Sequence, residues 1–323
     1  MVIFGMPGLE CLKKLLLLRI VEKITILTEG GNQYTHGACC GVLSSICIHV
    51  FAVKDKIFQG QLVYMWKENF LINSLASLSS LAIAFSGGVD SSLLAVLANK
   101  HVKGKVLLVN AHTPFFTEKE TWFVNRWTRK HGYTLKIIKI DVLKTPKIKK
   151  NLSDRCYHCK KALMKEIIAV AKFHGIDIVA DGSNIDDLSD YRPGHKAAAE
   201  LGIIHPFIEA KITKNEIRKL AKKYNLENWN TPVQACLATR IPANTPILNE
   251  YLRKIEKAED YLYNLGFLGC RVRMLENTAK IELQQDQIAN SLLHRESIVN
   301  KLKEMGFRNV LLDLEGYKKP TDN

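Results

Sequence analysis

Ser86-Gly87-Gly88-Val89-Asp90-Ser91 follows the apolar run Leu81 to Phe85 and precedes a helical pattern from about Ser91 to Lys100. A strand that turns through paired glycines into a helix aims backbone N–H groups inward. The glycines let oxygens approach the chain, and the helix N-terminus adds the positive end of its dipole. Such a loop suits pyrophosphate. Ser91 and Ser92 add hydroxyl donors and a helix cap, and Asp90 is placed to hold Mg²⁺ against phosphates. A plain Gly-Gly turn with an Asp-Ser cap has the same local pattern, so the neighbouring sequence must decide. Neither G-x-x-x-x-G-K-[ST] nor G-x-G-x-x-G follows the strand, which disfavours P-loop kinase and dinucleotide-binding readings.

Working outward, an amphipathic helix is predicted from Trp66 to about Ser79, ahead of the strand. Further strands are predicted at Lys105 to Asn110, Thr134 to Asp141 and Asp177 to Ala180, with helices Glu118 to His131 and Lys160 to His174 between them. Alternating strands and helices imply an α/β fold with a doubly wound parallel sheet. Ligands of such sheets sit outside the carboxyl ends of the strands, where Ser86, Ala111-His112 and Asp181-Gly182 fall.

Residues 65–240 are therefore read as a nucleotide-binding domain. Ile241 to Pro246 carries two prolines and reads as a linker. A smaller α+β domain is expected over 241–323, serving substrate binding or oligomerisation. Its expected elements are a helix Asn249 to Leu265, strands near Cys270 to Met274 and Lys280 to Leu283, a long helix to Met305, and a last strand Asn309 to Leu314. Residues 1–64 differ: apolar stretches broken by Gly30-Gly31 show no sustained periodicity. They are read as an atypical extension foreign to the rest, with Met65 the expected native start.

Of 323 residues, 47% are hydrophobic and 24% charged, ordinary values for a globular chain. No apolar run reaches the roughly 18 residues of a membrane span. Residues 1–64 hold six basic and four acidic side chains, so the net charge of +14 belongs to the main body. That surface attracts anions, whether nucleotide or RNA. Eight cysteines without a secretory signal imply reduced thiols and a cytoplasmic protein. Four of them, Cys11, Cys39, Cys40 and Cys47, lie in the first 64 residues.

The other cysteines sit in motifs. Asp154 to Lys161 reads D-R-C-Y-H-C-K-K, placing Cys156 and Cys159 on one side of a turn, and Ala235 to Pro242 reads A-C-L-A-T-R-I-P around Cys236. Asp181 to Asp187 reads D-G-S-N-I-D-D and runs on to Asp190-Tyr191-Arg192-Pro193-Gly194. Lys160, Lys161 and Arg240 would favour thiolates if the fold gathers them. Three cysteines suit a 4Fe-4S cluster with one iron left without a protein ligand. Zinc, with His158 or His205 as fourth ligand, and a redox disulfide between Cys156 and Cys159 remain open. Cys270 reads as a small buried hydrophobe. Arg271 and Arg273 share one face of a strand and, with Arg240, form a clamp for phosphate and carboxylate groups. A solvated strand face is the plainer alternative.

The loop Ser86 to Ser91 resembles that of the PP-loop ATP pyrophosphatases, which cleave ATP between the α and β phosphates and leave AMP on a substrate oxygen. With the Asp154, Asp181 and Ala235 motifs, the chain from about Met65 onward is similar to LarE-type sulfur transferases. That resemblance implies sulfur insertion into the carboxylates of a pyridinium mononucleotide, for a nickel-pincer cofactor. It implies ATP and Mg²⁺ at Ser86, Gly87, Gly88, Asp90, Ser91, Ser92, His112, Asp181 and Gly182, with Asp181 the second metal candidate. It places substrate at Asp187, Glu259, Arg271 and Arg273, and catalysis at Cys236, Cys156, Cys159, Arg240 and Lys160. In the simplest LarE pattern one cysteine, at the position of Cys236, gives up its own sulfur. The added Cys156 and Cys159 point instead to the cluster-containing variant, fed by external sulfide or another sulfur donor. A homo-oligomer without membrane or nucleic-acid partner is expected. A cluster-dependent tRNA thiolase and an ATP-dependent amidating synthetase are the competing readings.

Overall fold

The computed structural model describes residues 63–188, 193–231 and 235–317. The predicted extension, except for its last two residues, therefore lies outside the described residues, as do Asp190, Tyr191 and Arg192.

A helix over 63–76 (α1) leads to β1 (Leu81–Ala84), α2 (Val89–His101), β2 (Val106–His112), α3 (Glu118–His131) and β3 (Leu135–Lys139). After a short helix α4 (Pro146–Lys149) come α5 (Arg155–Phe173), β4 (Val179–Ala180), α6 (Pro193–Glu200), α7 (Pro206–Glu209) and α8 (Lys214–Lys223). The strands form one parallel sheet in the order β3-β2-β1-β4, as the alternating pattern predicts.

Strand side chains alternate between two faces, and both faces are covered. Leu81 and Ile83 of β1 meet Leu71 and Leu75 of α1, Leu93 and Leu97 of α2, and Trp127 of α3. Ala82, Leu107 and Val109 point the other way, into Met164, Ile167 and Ala171 of α5. Full burial of a leucine such as Leu71 or Leu75 contributes about 2 kcal/mol. This double cover explains why β1 and β2 read as continuous apolar runs.

Helix α3 has the predicted boundaries because both ends are encoded locally. Thr117 and Glu120 form a reciprocal capping box, and Gly132 closes the C-terminus in the left-handed region at φ 69°. Helix α5 starts five residues before the predicted Lys160, so Cys156 and Cys159 lie in its first turns and not on a tight turn. The apolar period that betrays this helix begins only at Leu163 and Met164, which is why the sequence pattern placed its start late.

The C-terminal part holds α9 (Asn249–Asn264), β5 (Arg271–Leu275), β6 (Thr278–Glu282), α10 (Gln285–Leu293), α11 (Arg295–Glu304) and β7 (Asn309–Leu312). Strands β5 and β6 are antiparallel, and β7 joins β6 in parallel. The single long helix predicted up to Met305 is two helices that share His294 as C-cap and N-cap, a break marked by neither proline nor glycine. Leu252, Ile255, Leu262, Val272, Ile281 and Leu302 build a core that also takes in Phe115, Val142 and Ile148. The proline segment is tied down as well: Asn244 N–H donates to Asn151 O at 3.0 Å and Ile247 N–H to Lys149 O at 2.8 Å.

Candidate functional site

At the end of β1 the chain turns at Gly87, whose φ of 81° lies in the left-handed region; a Cβ there would also meet Val124 Cγ2 at 2.9 Å. Gly88 is the N-cap of α2 and has no side-chain cap. The predicted capping by Ser91 and Ser92 is thus corrected. Ser91 Oγ lies 3.2 Å from Ser86 Oγ and donates to Gly88 O at 3.1 Å, folding inward across the loop. With no capping side chain, the first-turn N–H groups of α2 are left for an anion.

Two buried asparagines brace this loop. Asn228 Nδ2 lies 3.0 Å from both Gly87 O and Ser92 Oγ, and Asn110 Nδ2 donates to Phe85 O at 2.8 Å. Gly182, after β4, packs so closely that a Cβ would come within 2.9 Å of Ser91 N. A cleft of about 270 Å³ opens here, lined by Ser86, Asp90, Ser91, Asn110, Lys160 and Asp181 among others. It lies at the carboxyl ends of β1, β2 and β4, where a ligand of a doubly wound sheet belongs.

Both predicted metal carboxylates are already paired. Lys214 Nζ contacts Asp90 Oδ1 at 2.8 Å and Oδ2 at 2.6 Å. Burial nonetheless pushes the Asp90 carboxyl above its ordinary range, against the pull of Lys214. Asp181 is 3% exposed and meets Lys160 Nζ and His205 Nδ1 at 2.7 Å each. Burial alone raises this carboxyl, but Lys160 and His205 outweigh it and hold it far below the usual carboxylate range. Each carboxylate thus already has a lysine cation against it. Among the described residues no group of three His, Cys, Asp or Glu closes on a single metal ion.

His112 ends β2 and pairs through Nδ1 with Thr121 Oγ1 at 2.9 Å. Its pKa is lowered by burial and by the cations Arg253 and Lys139. Thr113 is buried and accepts from Phe115 N–H at 3.2 Å.

Cys156 is exposed on the first turn of α5, Cys159 lies one turn further on, and Cys236 is the N-cap of a short 3₁₀ turn over Leu237–Arg240. The three thiols are near enough to act on one another. Burial first, then Cys236 and Cys156, push Cys159 up to about 12, and burial also raises Cys236. At Cys159 and Cys236 the expected lowering by neighbouring cations is therefore overridden by burial. Lys161 is turned away, bonded to Glu200 at 2.6 Å and to Tyr157 at 2.8 Å. Arg155 joins the two cysteine-bearing segments instead: it donates to Asn151 Oδ1, to Ala238 O at 3.1 Å, and toward Cys156 Sγ at 3.5 Å.

Arg240 is 4% exposed and all its donor nitrogens are in use. Nε and Nη2 grip the two Glu259 oxygens at 2.9 and 3.2 Å, while Nη1 reaches Ala235 O, Cys236 O and Thr239 Oγ1. Glu259 also accepts from Val272 N–H at 2.9 Å. The pair fixes the Cys236 loop against β5, so Arg240 does not reach out as part of a clamp. Arg273 pairs with Glu282 at 2.6 Å and donates to Thr239 O at 2.9 Å; Arg271 donates to Cys270 O at 2.9 Å and lies over the Tyr317 ring. Asp187 accepts from Asn184 N–H at 2.9 Å at the rim of the cleft. His158 is bonded to Asp154 at 2.9 Å, so both histidines named as zinc ligands are engaged with carboxylates.

Lys214, Asn228 and Arg155 were not singled out in the sequence, and Glu256 entered only as a neighbour of Glu259 one turn away. Glu256 is buried and caps α3 by accepting from Glu118 N–H at 2.6 Å. Arg155 carried a signal, an arginine beside a C-x-x-C pair; the others carried none.

Fold and site together define an α/β protein with an uncapped glycine loop at the end of its first strand and three cysteines on two further segments, Cys156 and Cys159 on α5 and Cys236 ahead of the 3₁₀ turn. No family model matches the chain. It is 32% identical over 253 residues to the pyridinium-3,5-bisthiocarboxylic acid mononucleotide synthase of Lactiplantibacillus plantarum, covering 78% of this chain and 92% of that protein. An uncharacterised protein of Methanocaldococcus jannaschii is 37% identical over 73% of this chain and 90% of its own length, and one of Synechocystis 35% identical over 73% and 89%. The chain belongs to the family of the Lactiplantibacillus synthase.

Proposed function

We propose that this protein is an ATP-dependent sulfur transferase that acts on pyridinium-3,5-biscarboxylic acid mononucleotide in nickel-pincer nucleotide assembly. A substrate carboxylate oxygen attacks the α-phosphorus of ATP, the bond to the β-phosphate oxygen breaks, and pyrophosphate leaves. A sulfur nucleophile then attacks the activated carbonyl carbon and AMP departs with the original oxygen. The observation that carries this reading is the joint presence of an uncapped glycine loop facing a cleft and a three-cysteine wall, in a relative of a bisthiocarboxylate synthase.

The loop N–H groups and the α2 N-terminus suit the pyrophosphate oxygens, and Lys160, steadied by Asp181, offsets charge as it leaves. Mg²⁺ would be held by Asp90 or Asp181 and would neutralise the phosphates. Cys156, Cys159 and Cys236 would hold a 4Fe-4S cluster, whose open iron supplies a seat for hydrosulfide. A cubane is wider than one ion, whose thiolates stand roughly 4 Å apart at about 2.3 Å per bond, so the lack of a single-ion site among the described residues does not count against a cluster. Zinc would need its ligands gathered on one ion, and no group of three His, Cys, Asp or Glu among the described residues is so gathered.

The test is incubation of anaerobically purified, reconstituted protein with ATP, Mg²⁺, sulfide and the biscarboxylate nucleotide. Substrate-dependent pyrophosphate release and a product with sulfur in place of oxygen are expected. Pyrophosphate release without sulfur incorporation, or none of either, defeats the proposal.

A further inference from the structure

A second cavity, of about 690 Å³ and so roomier than the cleft, is a groove between residues 141–150 and 246–249. Lys144, Lys149 and Lys150 line it against a single carboxylate, Asp141. None of these lysines has a hydrogen-bond or ion-pair partner for its side chain among the described residues. Three like charges on one concavity repel each other unless an anion joins them.

The groove is preformed. Its walls are joined by the Ile247 N–H bond to Lys149 O and the Asn244 N–H bond to Asn151 O, and the Asn151 side chain donates to Pro242 O at 2.7 Å. Helix α9 starts at this wall, and its N-cap, Leu248, gives no side-chain cap. Leu143, Pro146 and Ile247 supply an apolar surface beside the lysines. The volume falls in the range of small-ligand sites, roughly 300–1,000 Å³.

The geometry points to a second anion site in this groove, for a phosphate ester of nucleotide size, its phosphate on the lysines and its ring or ribose on the apolar wall. The ester is either the nucleotide substrate of the proposed reaction or a separate effector; both share the same recognition chemistry. The phosphate site itself does not depend on the sulfur-transfer reading.

Nicotinic acid mononucleotide is the probe, titrated into the full chain and into two variants. Lys149→Glu/Lys150→Glu is expected to weaken binding by about tenfold or more, as loss of charge-assisted contacts does. Gly182→Ala, which disturbs the cleft, is expected to leave groove binding within about twofold of wild type. Because both lysines are exposed, an unchanged thermal midpoint shows that the fold is kept, and Lys149→Gln/Lys150→Gln gives a second, milder variant. Absence of binding at about 1 mM, binding indifferent to the lysine changes, or loss in Gly182→Ala alone overturns the site. Bulk tRNA bound through the same lysines with higher affinity overturns the small-ligand assignment in favour of RNA. Where binding is lost, a raised KM for the pyridinium nucleotide identifies the substrate as the ester, and an unchanged KM identifies an effector. Failure of sulfur transfer with binding intact refutes the functional reading and leaves this site standing.

Discussion

The glycine loop and the cysteine wall are built in opposite ways. Ser86 to Ser91 takes its shape from consecutive residues: a buried strand, a left-handed Gly87 and an uncapped helix start. Cys156 and Cys236 lie on segments far apart in sequence, joined by Arg155 reaching across 83 positions to Ala238 O and braced by the Arg240–Glu259 pair. A contiguous site is specified by local backbone preference. A distributed one depends on buried ion pairs, which are strongly destabilising to break on one side.

That contrast can be broken by substitution. The largest effect is expected from Cys236→Ala, which should abolish the sulfur-containing product while changing ATP affinity by less than about twofold; parallel loss of ATP binding, measured by titration, would show the two regions to be one unit. Next, Arg240→Ala leaves the half-buried Glu259 without its cation and with only the Val272 N–H, and a loss of about 3 kcal/mol in denaturant unfolding is expected. A loss under about 1 kcal/mol would mean that Arg240 is not a brace. In the loop, Gly87→Ala meets both a positive φ and Val124, with an expected cost of about 1–3 kcal/mol and weakened ATP binding. Retained ATP affinity would show that the loop does not carry the phosphates.

The smallest effect is one of pH. Asp181 has a carboxyl held below its unfolded value, so its contribution to stability is present above about pH 4 and lost as pH falls toward its folded pKa. Asp181→Asn should remove that part of the acid slope of stability, and an unchanged slope would mean that Lys160 and His205 do not hold the carboxylate.

The same contrast separates what was legible in the sequence from what was not. The parallel sheet, α3 with its capping box, and the loop could be read because periodicity and caps are local. The start of α5 was misplaced because no local signal marks it, and the break at His294 because no proline or glycine stands there. Lys214 and Asn228 lie 124 and 141 positions from their loop partners, and neither residue type announces such a contact. Arg240 was read as a cation awaiting an anion; its guanidinium already has one in Glu259. Charge alone does not tell a ligand from a brace, and only partners in space do.

In the proposed reaction a substrate carboxylate is adenylated before sulfur arrives. Pyridinium-3,5-biscarboxylic acid mononucleotide carrying heavy oxygen in both carboxylates tests it directly, by mass spectrometry of the AMP released. One heavy oxygen in AMP for each pyrophosphate formed is the predicted result. AMP without label, formed alongside sulfur-containing product, would contradict it.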